Sequence, residues 1–145
     1  MDIAQSEADY LMQLEKFFES DDPIELGVIS LKCCHPLISI DGRERFLLDI
    51  WRGGISLKKY RLQERARSVI ILVRLDISGA PHINPDGKTI TCPHIHIYRE
   101  GFDDKWAFPL EDFPFGDLKD IVTTFYDFTK FCNISNTPVV QRRLA

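Results

Sequence analysis

SVIILVRLDISGAPHINPDGKTITCPHIHIYRE, residues 68–100, decides the fold: a strand, a loop dense in backbone breakers, and a second strand. Over Ser68–Ile77 the residues Val69, Ile71, Val73, Leu75 and Ile77 make one continuous apolar face. On the other face Ile70 and Leu72 give way to Arg74 and Asp76, so two charges enter a strand that is otherwise core-like. Gly79, Pro81, Asn84, Pro85, Asp86 and Gly87 force Ser78–Cys92 into a structured surface loop. The chain extends again at His94–Glu100, where alternation puts His94, His96, Tyr98 and Glu100 on one face and Ile95 and Ile97 on the other. Antiparallel pairing of the two strands across the loop brings Arg74 and Asp76 to the histidine row and assembles a polar cluster on a sheet.

Working outward, Ser6–Ser20 places Ala8, Leu11, Met12, Leu14, Phe17 and Phe18 at helical spacing, which predicts an amphipathic helix over 6–20 with Ser6 as N-cap. Val-, Ile-, Leu- and Phe-rich runs predict further strands at Gly27–Lys32, Pro36–Ile40, Arg45–Trp51, Ile55–Leu62 and Lys105–Pro109. Asp41-Gly42 and Gly53-Gly54 supply hairpin turns. A second helix over 117–132, capped by Asp117, buries Leu118, Ile121, Val122, Phe125, Phe128 and Phe131, and 133–145 reads as a loose tail. The expected architecture is a single α+β domain over 1–145: helix, strongly bent antiparallel sheet or partial barrel of six or seven strands across 26–109, helix.

With 145 residues, 44% of them hydrophobic, and a net charge of −4, the chain has the composition of one globular domain. It can build a core without disulfides or metal. No apolar run reaches the length of a membrane span and the first residues lack a secretory signal, so the sequence predicts a cytosolic protein with no membrane partner. Cys33, Cys34, Cys92 and Cys132 form no C-x-x-C pair and are expected as thiols. The acidic total hides a basic middle: residues 1–40 hold two basic and eight acidic side chains, residues 41–75 nine basic and four acidic. That argues against a general nucleic-acid binder while leaving room for contact with a few phosphates.

The histidine row admits three chemistries. Two imidazoles without metal can act as acid and base in cleaving an RNA phosphodiester, with nearby arginines stabilising the phosphate charge. His-x-His can instead hold a metal ion, with His82, Glu100 or Asp104 as third ligand, as in a metal-dependent hydrolase. Or the rings are half-buried and hydrogen-bonded to backbone, Glu100 or Asp76, and Arg74–Asp76 is a structural ion pair. The run Lys58–Arg67 can grip RNA through Lys59, Arg61, Arg65 and Arg67, with Tyr60 as a stacking surface; lysines of this kind also protect edge strands. Trp106 and Phe108 are expected to seal the core against the second helix.

The blocks LISIDGRERFLLDIWRG (37–53), VIILVRLDISGAPHINPDG (69–87) and CPHIHIYREGFDDKWAFPL (92–110) resemble a family of small uncharacterised bacterial and prophage proteins, a domain of unknown function, over about residues 6–132. The resemblance implies company with the toxins, antitoxins and anti-defence inhibitors of mobile elements, and assigns no catalytic residue. The leading expectation is a toxin-like RNA-interacting protein, a metal-independent endoribonuclease needing no cofactor. His94 and His96 transfer protons, Arg61 and Arg74 contact phosphate, and His82 and Tyr98 position substrate. A protein-binding inhibitor, an antitoxin or anti-defence protein of the anti-CRISPR type, is the alternative. It would present Asp2, Glu7, Asp9, Glu15 and Glu19 to a basic partner.

Overall fold

In the computed structural model, residues 2–54 and 58–141 are described. Helix α1 (Gln5–Gln13) leads into β1 (Lys16–Phe18) and β2 (Ile24–Glu25), followed by β3 (Lys32–Ser39), β4 (Arg45–Arg52), β5 (Tyr60–Ala66) and β6 (Ile70–Asp76). The loop after β6 carries the short strands β7 (His82–Ile83) and β8 (Thr89–Ile90); β9 (His94–Ile97), β10 (Ala107–Pro109), α2 (Ile121–Phe131) and β11 (Val140–Gln141) follow. Seven strands form one open antiparallel sheet in the order β1-β3-β4-β5-β6-β9-β10. The α+β reading, with a helix towards each end and a large antiparallel sheet between, is therefore correct. Among the described residues no helix is long and apolar enough to cross a membrane.

One sheet face is core. Leu37, Phe46, Leu48, Ile50, Leu62, Leu75 and Ile95 meet Ala8 and Leu11 of α1 and Phe125 and Phe128 of α2 in a single buried cluster. The alternate residues of β3–β6 and β9, among them Cys34, Asp49, Arg61, Gln63, Arg65, Arg74, Asp76, His94 and His96, lie on the opposite face. Helices on one side only leave this second face open to carry polar chemistry.

Several boundaries differ from the sequence reading. The helix expected over 6–20 ends at Gln13, because Lys16–Phe18 pairs with Leu37–Ser39 as an edge strand, and its N-cap position is Ala4 with no side-chain cap. Gly27–Lys32 is not a strand; Lys32 opens β3, which runs through Pro36 to Ser39 as one element. At the β3–β4 turn Asp41 Oδ1 accepts from Ser39 Oγ at 2.7 Å and from the Arg43 amide at 3.0 Å, while Gly42 takes φ of +75°. Ile55–Leu62 falls partly outside the described residues; what is seen is β5 starting at Tyr60, an interior strand and not a protected edge. The apolar face of β6 is not continuous either. A register shift opposite Glu64/Arg65 skips Leu72, so Ile70 and Leu72 join the core ahead of it and Val73 and Leu75 after it. Val69 is left exposed. The tail over 133–141 is docked: Ile134 bridges Lys16, and β11 pairs in parallel with β2.

The second helix begins at Ile121 and its cap is Asp120, whose Oδ1 accepts from the Val122 amide at 3.2 Å and whose Oδ2 accepts from Thr123 Oγ1 at 2.8 Å. Asp117, the cap expected from sequence, instead closes a turn by accepting from the Lys119 amide. Asp120→Ala is expected to lower stability by about 0.5–2 kcal/mol. Asp117→Ala should cost less; chemical denaturation of both variants checks the order.

A buried histidine cluster under a cationic concavity

Antiparallel pairing of β6 with β9 places Arg74 opposite His96 and Asp76 opposite His94, as the alternation of the two strands predicts. Asp76 is the hub. Its Oδ1 accepts from Arg61 Nε at 2.6 Å. Its Oδ2 lies 3.3 Å from Arg74 Nε, 3.2 Å from His94 Nε2 and 3.3 Å from His96 Nε2. Arg74 reaches further: Nη1 donates to Asp104 Oδ2 at 2.8 Å and Nη2 to His96 Nε2 at 3.0 Å. Each imidazole turns its other nitrogen to backbone, His94 Nδ1 to the Ile90 carbonyl at 3.2 Å and His96 Nδ1 to the Asp104 carbonyl at 2.8 Å.

The loop between β6 and β9 folds back over this end of the open face. Asn84 fastens it to the edge strand, donating from Nδ2 to the Ala107 carbonyl at 2.9 Å and accepting the Ala107 amide at Oδ1 at 2.8 Å. His82 comes with the loop. Its ring centroid lies 4.6 Å from that of His96 and 6.1 Å from that of His94, while His94 and His96 are 4.9 Å apart. His82 Nε2 donates to the Lys105 carbonyl at 2.6 Å. The loop buries what it covers: His94 is 2% exposed and His96 0%, whereas His82 is half-buried.

These residues line a concavity of about 300 Å³, rimmed by Trp51, Lys59 and Arg61 and closed on the loop side by Gly79–His82. A groove of about 780 Å³ continues from it across β3, β4 and β5, sharing Trp51 and Arg61. The Arg61 guanidinium stands 6.0 Å from the Trp51 ring centre, and its side chain is 50% exposed. Burial by itself would lift the Asp76 carboxyl, but the adjoining His96 ring and the Arg74 and Arg61 charges hold it well below the usual carboxylate range. Burial, then the neighbouring His96, push the His94 imidazole down against the pull of Asp76. Burial also raises the half-buried Cys92 thiol, 3.6 Å from His94 Nδ1.

Of the residues singled out from sequence, Arg61, Arg74, His82, His94 and His96 meet here; Tyr98 does not. Strand β9 stops at Ile97, so alternation lapses. Tyr98 packs in the core, where its hydroxyl accepts the Ile3 amide at 2.8 Å and holds the N-terminal segment. Glu100 is spent in the same place, on the Gln5 amide. Tyr60 faces the core and donates to the Leu118 carbonyl, so it is no stacking surface. Arg65 pairs with Asp49, and Arg67 with Glu44 and Glu7. Trp106 stacks against Phe102 and Arg99, while Phe108 alone runs through Phe113 to Phe131 of α2. The N-terminal acids are also engaged: Asp2 with Tyr98 and Gly101, Glu7 with Arg67, Glu15 with Ser135, Glu19 with Arg45. Sequence reasoning missed Trp51 at the rim and Asn84 as the clasp of the loop. Asn84 before Pro85 reads only as turn chemistry, and the edge it grips is remote in sequence.

Asp76, His94 and His96 are also the residues that can hold a metal ion, since one nitrogen from each ring and one carboxylate oxygen lie within 4.8 Å of one another. No curated protein and no solved structure matches the chain. Residues 3–134 match a family of unknown function, DUF6978, and the chain belongs to that family.

Proposed function

We propose that the protein is an RNA-directed endoribonuclease that binds its substrate backbone at the concavity. One observation carries this reading: in a chain of net charge −4, the surface depression under the loop gathers Lys59, Arg61, Arg74 and three imidazoles beside an indole that is 36% exposed. Asp76 holds Arg61 by Nε alone, so the remaining guanidinium donors serve a phosphate. Trp51 offers a base a stacking surface next to that phosphate.

The 2′-hydroxyl of RNA supplies the nucleophile. It attacks the adjacent phosphorus, its proton passes to an imidazole, and the 5′-oxygen leaves with a proton, giving a 2′,3′-cyclic phosphate and a 5′-hydroxyl. His82 is the ring that meets substrate, because it is half-buried where His94 and His96 are buried and its Nε2–H is anchored on Lys105, which leaves Nδ1 to exchange the proton. The guanidiniums of Arg61 and Arg74 stabilise the charge that grows on the phosphate. A toxin of a mobile element is the role we assign to such an activity.

Purified protein is expected to cleave a single-stranded RNA oligonucleotide and leave the DNA of the same sequence intact. His82→Ala and Arg61→Ala should each lower kcat/KM by about 10²–10⁴. RNA that stays whole at high enzyme concentration overturns the reading.

A further inference from the structure

We propose that Asp76, His94 and His96 form a binding site for a divalent transition-metal ion of the zinc class at the floor of the concavity. The argument begins with hydrogen-bond roles. Carbonyl oxygens only accept and a guanidinium only donates, so Asp104 and Arg74 together set the ring proton of His96 on Nδ1, and in His94 the same tautomer satisfies the Ile90 carbonyl beside Nδ1. In the neutral rings Nε2 then carries a lone pair. Both lone pairs face one carboxylate oxygen, Asp76 Oδ2, at 3.2 and 3.3 Å. Acceptors do not converge at that distance without positive charge between them.

Arg74 supplies part of that charge through Nη2 on His96 and Nε on Asp76 Oδ2. His94 Nε2 faces Asp76 Oδ2 at 3.2 Å, with the Cys92 sulfur at 3.9 Å. Protonating both rings would set two imidazoliums, with centroids 4.9 Å apart, beside the Arg61 and Arg74 guanidiniums around Asp76 and Asp104. One metal ion resolves the same contacts with fewer charges. Nitrogen and oxygen ligands at about 2.0–2.1 Å in a tetrahedron stand roughly 3.3 Å from one another, which is the separation found on both sides of Asp76 Oδ2. The backbone carbonyls behind the rings are the outer partners that orient ligating histidines.

The set differs from the metal alternative read from sequence, in which His82, Glu100 or Asp104 joins His94 and His96. His82 Nε2 is committed to Lys105, and Cys92 Sγ, 3.6 Å from His94 Nδ1 and 3.9 Å from Nε2, stands against the His94 ring outside the three groups that converge within 4.8 Å. Three protein ligands leave the fourth position towards the concavity, as in catalytic rather than structural sites. Arg74 is the ion's competitor: the metal takes His96 Nε2 from Nη2, and the guanidinium keeps Asp104 through Nη1.

The site is read on the protein alone, independently of any action on RNA. Chelator-treated full-length protein, titrated with zinc by calorimetry and with cobalt(II) by visible absorption, should take up one ion per chain with a tetrahedral cobalt spectrum. His94→Gln and Asp76→Asn should weaken binding by more than the roughly 10–100-fold that losing an outer partner costs. His82→Ala should leave stoichiometry unchanged, and Arg74→Met should tighten binding by about tenfold or more by removing the competing cation. Folded wild-type protein that takes up no ion, or binding that survives both ligand substitutions, overturns the site. An ion bound with RNA left whole retires only the endoribonuclease. RNA cleaved by a protein that binds no metal retires only this site.

Discussion

Replacing Lys16 by methionine is expected to lower stability by about 3–5 kcal/mol, the cost of stranding a buried charge. Lys16 and Glu64 are both 0% exposed, with Nζ 3.4 Å from Oε1. The ammonium also donates to the carbonyls of Met12 at 3.0 Å and Cys132 at 2.8 Å, and sits 4.9 Å from the centre of the Phe46 ring. One lysine thus ties the end of α1, the end of α2 and strand β5. Without it Glu64 is left either as a buried carboxylate with no cation or forced to take up a proton, and among the described residues Glu64 Oε2 already has no hydrogen-bond partner. The double variant Lys16→Met with Glu64→Leu should recover most of the loss, because an apolar pair of similar volume needs no compensation. Urea denaturation of the single and double variants measures this; a single variant as stable as wild type refutes it.

The same pair sets a pH dependence. Burial, opposed by Lys16, pushes the Glu64 carboxyl up to about 7. A carboxyl that holds its proton more tightly folded than unfolded stabilises fully below its unfolded value of 4.5, and that contribution fades as pH rises through about 7. Wild type should therefore lose ground to Glu64→Gln, which cannot ionise, between about pH 5 and 8. A difference that stays flat over that interval contradicts the assignment.

Asp76→Ala is the second large effect, expected at about 3–5 kcal/mol in chelator-treated protein. The substitution leaves Arg61, Arg74, His94 and His96 facing one another without the carboxylate that joins them. The partners are not equal. Arg74 has a side chain 20% exposed and Arg61 one 50% exposed, so water replaces the lost contact for Arg61 far better. Double-mutant cycles should give a coupling of about 1–3 kcal/mol for Asp76 with Arg74 and under about 1 kcal/mol with Arg61. Equal couplings would mean that the cluster is wetter than its burial indicates.

Local pattern was enough for the centre of the molecule. Period-two alternation in residues 73–76 and 94–97, separated by a proline- and glycine-rich loop, determined that two antiparallel strands would bring Arg74, Asp76, His94 and His96 together, because the side-chain period of a strand is fixed by its backbone. Helical and strand periodicity together placed the α+β class, and the turn chemistry of Asp41-Gly42 placed the hairpin. Tertiary structure alone decided the rest. Lys16 looks like the solvated face of a helix until β1 pairs with β3, and Tyr98 looks like a site residue until the N-terminal segment claims its hydroxyl. The depth of the imidazoles, and hence whether they serve as free acids and bases or as ligands, depends on a loop clasped by Asn84 to an edge strand 23 residues away. Burial and convergence are sums over contacts remote in sequence, and no short window of sequence contains them.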